Sequence, residues 1–176
     1  MEAEFRPDVV EGETCPMCHK NTLTLTETDR EVPFFGMVYV FSMTCSSCKY
    51  HKADLETKEK KEPCKWTLEV ESEEDLKSRV VKSAEATVKI PRIITIESGP
   101  AANGYISNVE GILKRIIRAI ESARDAEEDA AKKKTAKNHL KKLNKVLWGQ
   151  EKLKVIIEDK TGNSAIVSEK AVRTKL

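Results

Sequence analysis

The sequence predicts an α+β fold that is mainly β, on three observations. Cysteines occur in two closely spaced pairs within the first 48 residues, which is typical of a small sheet held by a metal. Short stretches that alternate polar and apolar residues recur over residues 66–96 and 153–168. Over residues 107–148 the apolar residues instead recur at helical spacing. A chain of 176 residues can hold a small metal module and one larger core.

The cysteine pairs are the most specific motif. They read Cys15-Pro16-Met17-Cys18 and Cys45-Ser46-Ser47-Cys48, with two residues between the sulfurs of each pair. This spacing lets a tight turn aim both thiolates at one point, and four such thiolates form a tetrahedral zinc site with Zn–S distances of about 2.3 Å. We therefore predict one structural Zn²⁺ bound by Cys15, Cys18, Cys45 and Cys48. Iron takes the same four-thiolate ligand set and remains an alternative.

Other roles for these cysteines are less favoured. A disulfide framework suits a secreted chain, a redox CxxC needs no second pair, and a catalytic zinc usually keeps an open position. His19 and His51 lie near the pairs, but four sulfurs already complete the site, so we expect exposed side chains there. Cys64 is interpreted as a small buried apolar residue rather than a reactive thiol.

Composition limits the function. The net charge is +2 and aromatic residues make up 5%, so no global basic bias indicates nucleic-acid binding. No apolar run approaches the length of a membrane span, and residues 1–13 are acidic without the apolar core of a signal peptide. Four cysteines in metal spacing fit a reducing compartment, so we predict a cytoplasmic protein.

The zinc ribbon is predicted over residues 13–55, after an N-terminal arm at 1–12. Thr22–Thr26 and Met37–Phe41 are strand-like, and residues 32–36 between them, which include Pro33, form a turn or edge. The metal supplies stability that so small a sheet lacks. Phe34, Phe35 and Met37 either pack the ribbon against the rest of the chain or form a patch for a protein partner.

A second domain is predicted over residues 56–176. Residues 49–64 are polar and lysine-rich and are expected to form a linker, and residues 72–75 a polar break. The expected strands are 66–70, 79–81, 86–90 and 93–96, followed by a closing hairpin of 153–158 with 165–168. Asp159 and Ser164 fall in the turn of this hairpin, and no histidine nearby favours a catalytic role.

Two helices are predicted between these strands. Ser107 and Glu110 form a capping box ahead of an apolar stripe that continues to Ile120. A second helix is expected from Asp125 to Trp148, with Gly149 as its stop. Its basic face, Lys132–Lys145, is interpreted as solvated rather than RNA-binding, because acidic residues are interleaved upstream.

The order of these motifs resembles the ZPR-type zinc-finger family in its single-copy archaeal form. Beyond the cysteine pairs, the match is carried by short segments spread over residues 12–168. They are Val32-Pro33-Phe34-Phe35, Tyr50, Asp75-Leu76, Val80-Val81-Lys82-Ser83, Ile90-Pro91, Val109–Leu113, Asp159 and Gly162-Asn163-Ser164. Lys49 and Arg92 depart from the family pattern, which often has glycine and glutamate at these positions.

The resemblance implies more than the spacing does. It implies a ribbon joined to a barrel domain resembling a double-stranded β-helix, with a helical hairpin inserted at about 107–148. It also implies a zinc-binding adaptor or chaperone-like protein that binds a GTPase of the translation elongation factor 1-alpha type. The eukaryotic relatives carry two tandem modules, and this chain carries one.

We therefore predict a protein-binding module rather than an enzyme. Phe34, Phe35 and Met37 are the predicted partner contacts. The alternative is a zinc-ribbon protein that binds nucleic acid in translation or transcription. No paired carboxylates, Gly-rich phosphate loop or nucleophile triad stands out in the sequence.

Overall fold

The computed structural model describes residues 7–32, 36–57, 61–99 and 102–176. Four antiparallel strands form the N-terminal ribbon, in the order β1-β2-β3-β4. They are β1 (Asp8–Thr14), β2 (Asn21–Val32), β3 (Gly36–Cys45) and β4 (His51–Thr57). The two long central strands, β2 and β3, pair from Leu23↔Cys45 beside the cysteines to Val32↔Gly36 at the far end. One end of the ribbon therefore holds the cysteines, and at the other end β2 stops and β3 begins.

Both outer strands of the ribbon lie in segments that we expected to be irregular. Strand β1 begins inside the predicted N-terminal arm, and its residues are all exposed. Strand β4 lies inside the predicted linker 49–64, so the linker prediction is wrong for residues 51–57. The sequence pattern of β4 is a weak strand signal, because Leu55 is the one residue of β4 that is fully buried and charged residues occupy several other positions.

The second domain contains two further sheets and three helices. A five-stranded sheet has the order β12-β5-β10-β7-β8, and a three-stranded sheet has the order β11-β6-β9. Their strands are β5 (Cys64–Val70), β6 (Arg79–Lys82), β7 (Thr87–Ile90), β8 (Ile94–Ile96), β9 (Tyr105–Asn108), β10 (Leu153–Asp159), β11 (Ala165–Val167) and β12 (Val172–Lys175). Apolar side chains from both sheets and from the helices share one core.

The predicted closing hairpin is wrong. Strand β10 lies at the centre of the five-stranded sheet, between β5 and β7, whereas β11 pairs with β6 in the other sheet. The segment between them therefore crosses from one sheet to the other. Sequence patterns could place the strands, but pairing partners far apart in the chain are set by the shared core.

Three helices occur among the described residues: α1 (Glu73–Lys77), α2 (Val109–Ala126) and α3 (Ala130–Leu147). Helix α1 replaces the predicted polar break, because Ser72 and Asp75 form a capping box. The predicted box at Ser107 is wrong: Ser107 belongs to β9, and the N-cap of α2 is Asn108, whose side chain accepts from the Gly111 N–H. The second predicted helix began too early, since α2 runs to Ala126 and α3 is capped by Asp129.

The helical hairpin covers the core as its apolar stripe predicts. All six stripe residues of α2 are buried: Val109, Ile112, Leu113, Ile116, Ile117 and Ile120. Leu140, Leu143 and Val146 of α3 are buried as well. Fully burying such a side chain is worth roughly 1.5–3 kcal/mol, so these contacts dominate the stability of the hairpin.

The ribbon packs against the three-stranded sheet through a small apolar cluster. Val32, Val38 and Leu55 of the ribbon are buried together with Val81 of β6. Beside this cluster the backbone of Ala53 bonds to Asn103 and Gly104, and a Cβ at Gly104 would lie 2.8 Å from the Asp54 carboxylate. Only glycine allows this close approach.

Candidate functional site

The two cysteine pairs sit in matching turns at one end of the ribbon. Each turn places the residue after the second cysteine in the left-handed region, with φ of 57° at His19 and 63° at Lys49. In each turn that residue donates its N–H to the carbonyl of the first cysteine, at 2.9 Å to Cys15 and 3.1 Å to Cys45. The same local geometry is therefore built twice, once after β1 and once after β3.

The four sulfurs converge as a tetrahedral site requires. The Sγ atoms of Cys15 and Cys48 are 3.7 Å apart, as are those of Cys18 and Cys45, and all four lie within 4.8 Å of one another. Four sulfurs at about 2.3 Å from a central ion would be about 3.8 Å apart, so the arrangement fits Zn²⁺. Because all four positions are protein sulfurs, the site is closed and structural.

Polar groups around the sulfurs favour thiolates. The backbone N–H of Met17 donates to Cys15 Sγ at 3.4 Å, that of Cys48 donates to Cys45 Sγ at 3.5 Å, and Thr22 Oγ1 lies 3.3 Å from Cys45 Sγ. The Cys48 N–H and the Thr22 hydroxyl lower the pKa of the Cys45 thiol to about 6. A bound cation would complete this stabilisation of negative charge.

Cys48 shows why a cation is needed. The Tyr50 backbone lowers the pKa of Cys48, but desolvation and the three neighbouring sulfurs outweigh it and raise that pKa to about 12. Four adjacent sulfurs cannot all ionise at neutral pH unless a positive charge balances them. All four cysteines are therefore thiolates at neutral pH only when the metal is bound.

The remaining residues near the site have supporting roles. Leu23, Leu25, Met43 and Tyr50 pack around the cysteines. His19 and His51 are exposed and, within the described residues, the ligand cluster contains only the four cysteines. The chain thus holds one structural zinc site with the predicted ligands.

Of the predicted partner contacts, the structure describes Met37, which lies in β3 at the end of the ribbon opposite the cysteines. Phe34 and Phe35 fall outside the described residues. Met37 is 40% exposed, whereas its neighbour Val38 is fully buried against the second domain. The two faces of β3 therefore differ at this end, one packing internally and the other meeting solvent.

A buried polar network links the two sheets of the second domain, and sequence reasoning did not find it. Asp159 is fully buried and accepts from the hydroxyls of Ser83, at 2.8 Å, and Ser164, at 2.5 Å. Its other oxygen accepts from the N–H and hydroxyl of Thr161, and Lys82 is buried nearby with its amine on the Ser83 carbonyl. Three segments that carry the family resemblance therefore meet here. Because Asp159, Ser83, Ser164 and Lys82 are buried, the network serves the fold.

Cys64 lies beside this network. Its side chain is fully buried, 3.7 Å from the Ser164 carbonyl, and desolvation raises the pKa of its thiol. The structure confirms the interpretation of Cys64 as a buried apolar residue, because a buried thiol with a raised pKa is a poor nucleophile.

Comparisons with known proteins agree with this architecture. The model of the ZPR1 zinc-finger domain matches residues 9–62, and that of the ZPR1 jelly-roll domain matches residues 74–175. A ZPR1-like protein of Methanocaldococcus jannaschii is 36% identical over 157 residues, covering 88% of this chain and 79% of its own length. A ZPR1-like protein of Pyrococcus horikoshii is 36% identical over 167 residues, covering 92% of this chain and 75% of its own length.

A eukaryotic relative is longer. The zinc finger chaperone zpr1 of Schizosaccharomyces pombe is 32% identical over 157 residues, which cover 86% of this chain but 33% of that protein. Among the described residues, no helix is both long and apolar enough to cross a membrane.

The family models, the cysteine geometry and the two-sheet second domain lead to one assignment. The chain belongs to the ZPR1 family, with a zinc-finger domain followed by a jelly-roll domain that carries a helical hairpin.

Proposed function

We propose that this protein is a zinc-stabilised, chaperone-like adaptor that binds a cytoplasmic GTPase of the translation elongation factor 1-alpha type and acts by binding rather than by catalysis. The observation that carries the proposal is the 32% identity to a protein named as a zinc finger chaperone. The chain spans about a third of that relative, so the proposal concerns what one zinc finger with one jelly-roll domain can do.

The β2–β3 end of the ribbon supports a contact with another protein. Met37 exposes 40% of its surface there, and Phe34 and Phe35 precede it by two and three residues in the sequence. An exposed large apolar side chain at the end of a strand, next to two phenylalanines in the sequence, suits a docking surface. Zinc at the other end and the packing of Val32, Val38 and Leu55 on Val81 would fix the position of this end of the ribbon.

The proposal is tested by capturing purified elongation factor 1-alpha on the immobilised, zinc-loaded protein. We expect retention by the wild type and a loss of at least ten-fold in affinity for a Phe34→Ala, Phe35→Ala, Met37→Ala triple variant. Met17→Ala is the matched control, because Met17 is 66% exposed but lies in the zinc knuckle at the other end of the ribbon.

Two results would contradict the proposal. If the wild type does not retain the factor in either its native or its partly unfolded form, the partner is wrong. If the triple variant binds as well as Met17→Ala, the β2–β3 end is not the contact surface.

A further inference from the structure

Helix α3 concentrates positive charge to an extent that the overall charge hides. Its residues Ala130–Leu147 include seven lysines and no acidic residue. Residues 109–148 together carry a formal charge of +5, and the rest of the chain carries −3, since the whole chain is +2. The acidic residues on which we based the interpretation of a solvated face, such as Glu127 and Asp129, lie upstream of α3, as the sequence indicated. Within the helix, none of them separates the lysines.

Four of these lysines form a stripe along the solvent side of α3. Lys134, Lys137, Lys141 and Lys145 follow one another at intervals of three or four residues, which places them on one face of a helix. The buried residues Leu140, Leu143 and Val146 lie on the opposite face. We call Lys134, Lys137, Lys141 and Lys145 the lysine stripe.

Most of the lysine stripe makes no direct ion pair. Lys145 pairs with Glu151 at 2.9 Å, and Lys132, outside the stripe, pairs with Glu127 at 3.5 Å. Within the described part of the chain, no carboxylate lies within 4.0 Å of Lys134, Lys137 or Lys141. Like charges at i and i+4, such as Lys137 and Lys141, disfavour a helix. The stripe therefore opposes the stability of the free protein.

An exposed tryptophan continues the lysine stripe. Trp148 follows Lys141 by two helical turns and is 67% exposed. Its backbone is fixed, because its N–H bonds to the Asn144 carbonyl, and the N–H groups of Gly149 and Gln150 close the helix on Val146 and Lys145. A large flat side chain is thus held in solvent at the end of a positive track about 21 Å long, at 1.5 Å per residue.

We propose that the lysine stripe and Trp148 form a binding site for single-stranded RNA. The lysines follow the phosphates of one strand, and the indole stacks on a base beyond the last lysine. This combination of a basic track with an aromatic platform is how proteins bind single strands without reading sequence. An acidic protein segment would engage the lysines but offers no reason for the indole, and the bases of a duplex are not free to stack on it.

The test measures fluorescence anisotropy of a labelled 15-nucleotide single-stranded RNA of mixed sequence with the zinc-loaded full chain. We expect affinity to fall about 50-fold between 50 and 200 mM salt if the four lysines contact phosphates, since each contact adds about 0.7 to the logarithmic slope. The same RNA as a duplex, and a 15-residue glutamate peptide, should bind at least ten-fold more weakly.

Variants separate the two parts of the site. The K134Q/K137Q/K141Q variant replaces lysine with glutamine, which is also a good helix former. Its affinity for the RNA should fall at least ten-fold, and the slope of log affinity against log salt concentration should become shallower by about 2. The matched control K20Q/K160Q/K175Q removes the same charge from exposed positions outside the hairpin. After correction for the general loss of positive charge, its affinity for the RNA should be within about two-fold of that of the wild type.

The W148A variant should lose about five-fold or more in affinity for the RNA, with an unchanged salt slope. Circular dichroism at 222 nm would verify that α3 remains folded in each variant.

Three results would overturn the proposal. They are undetectable binding of the single strand at 50 mM salt, equal affinities of the two triple-lysine variants, and a W148A variant that binds as tightly as the wild type. Equal binding of the duplex or of the glutamate peptide would also contradict it, because the site would then recognise negative charge alone.

Discussion

Lys49 follows the last zinc ligand with a φ of 63°, a backbone conformation that glycine adopts freely and other residues adopt at a cost. Arg92 shows the same effect with a φ of 65°, in the turn after Ile90-Pro91. Lys49 and Arg92 are therefore long basic residues at positions where the backbone favours glycine.

Lys49→Gly should stabilise the zinc-loaded protein. We expect a gain of about 1 kcal/mol in the free energy of unfolding, because the left-handed conformation disfavours a residue with a Cβ. Lys52→Gly is the control: Lys52 lies in β4 opposite Met43, where glycine should instead destabilise by roughly 0.5–1 kcal/mol. Guanidinium unfolding measures both. A loss of stability in Lys49→Gly would show that the side chain matters more than the backbone.

Asp75 is a second residue whose environment determines its contribution. It is 3% exposed and accepts hydrogen bonds from the Glu71 and Ser72 N–H groups, from the Ser72 hydroxyl and from the Lys170 amine at 2.9 Å. Burial raises the pKa of Asp75, but these donors, with Lys170 first, outweigh it and lower the pKa to about 2. The folded state thus favours the charged form.

Asp75→Asn should therefore destabilise the protein in a pH-dependent way. Because the folded pKa lies below the ordinary value of 3.8, the stabilisation is fully present above about pH 4 and is lost as the pH falls towards 2. We expect a loss of about 2 kcal/mol at pH 7 that shrinks below pH 4. Unfolding curves at several pH values test this, with Glu74→Gln, at an exposed ion pair, as a control that should change little. If the loss of stability in Asp75→Asn did not change with pH, the ionised carboxylate would not be its cause.

At the scale of elements, the ends of α2 and α3 are set by side chains rather than by the apolar pattern. Asp129 caps α3 by accepting from the N–H groups of Ala131 and Lys132, and Gly149, with a φ of 68°, ends it. The Gly149 stop was predicted correctly, because a glycine that follows a basic last turn is typical of a helix C-terminus. The start of α2 was predicted one residue early, since Ser107 and Asn108 are both good N-caps.

The two cap candidates of α2 make a matched pair. Asn108→Ala should cost about 1 kcal/mol, because the Gly111 N–H loses the acceptor that lies 2.7 Å away. Ser107→Ala should cost less than half of that, since Ser107 lies in β9 and caps nothing. Thermal unfolding followed at 222 nm compares the two. If Ser107→Ala cost more than Asn108→Ala, Ser107 would be the N-cap, as predicted from the sequence.

At the scale of the whole molecule, the ribbon and the jelly-roll domain depend on different forces. The ribbon encloses small apolar clusters, at the cysteines and at Val32, Val38 and Leu55, whereas the second domain has one large core. So small a sheet requires its metal, because the free energy of zinc binding becomes free energy of folding. The second domain has no ligand in common with the zinc site.

Chelation should therefore unfold the two parts unequally. Removing zinc should abolish protection of the β2 and β3 amides from hydrogen exchange, while α2 and β10, which belong to the large core, stay protected. Hydrogen exchange with mass spectrometry measures both, and re-addition of zinc should restore the ribbon. If α2 loses protection together with β2, the junction at Gly104 and Val81 couples the domains more strongly than their separate cores suggest.

The sequence alone determined the parts of this protein that depend on local spacing. Cysteines separated by two residues fix the ligand set, and the 3.6-residue period of residues 109–120 fixes the buried face of α2, because both patterns are local in the sequence. The tertiary structure decided what depends on distant partners. It placed β10 and β11 in different sheets, made β4 a strand through the burial of Leu55, and joined Ser83 to Asp159 across 76 residues. Such pairings follow from a shared core, which no local pattern encodes.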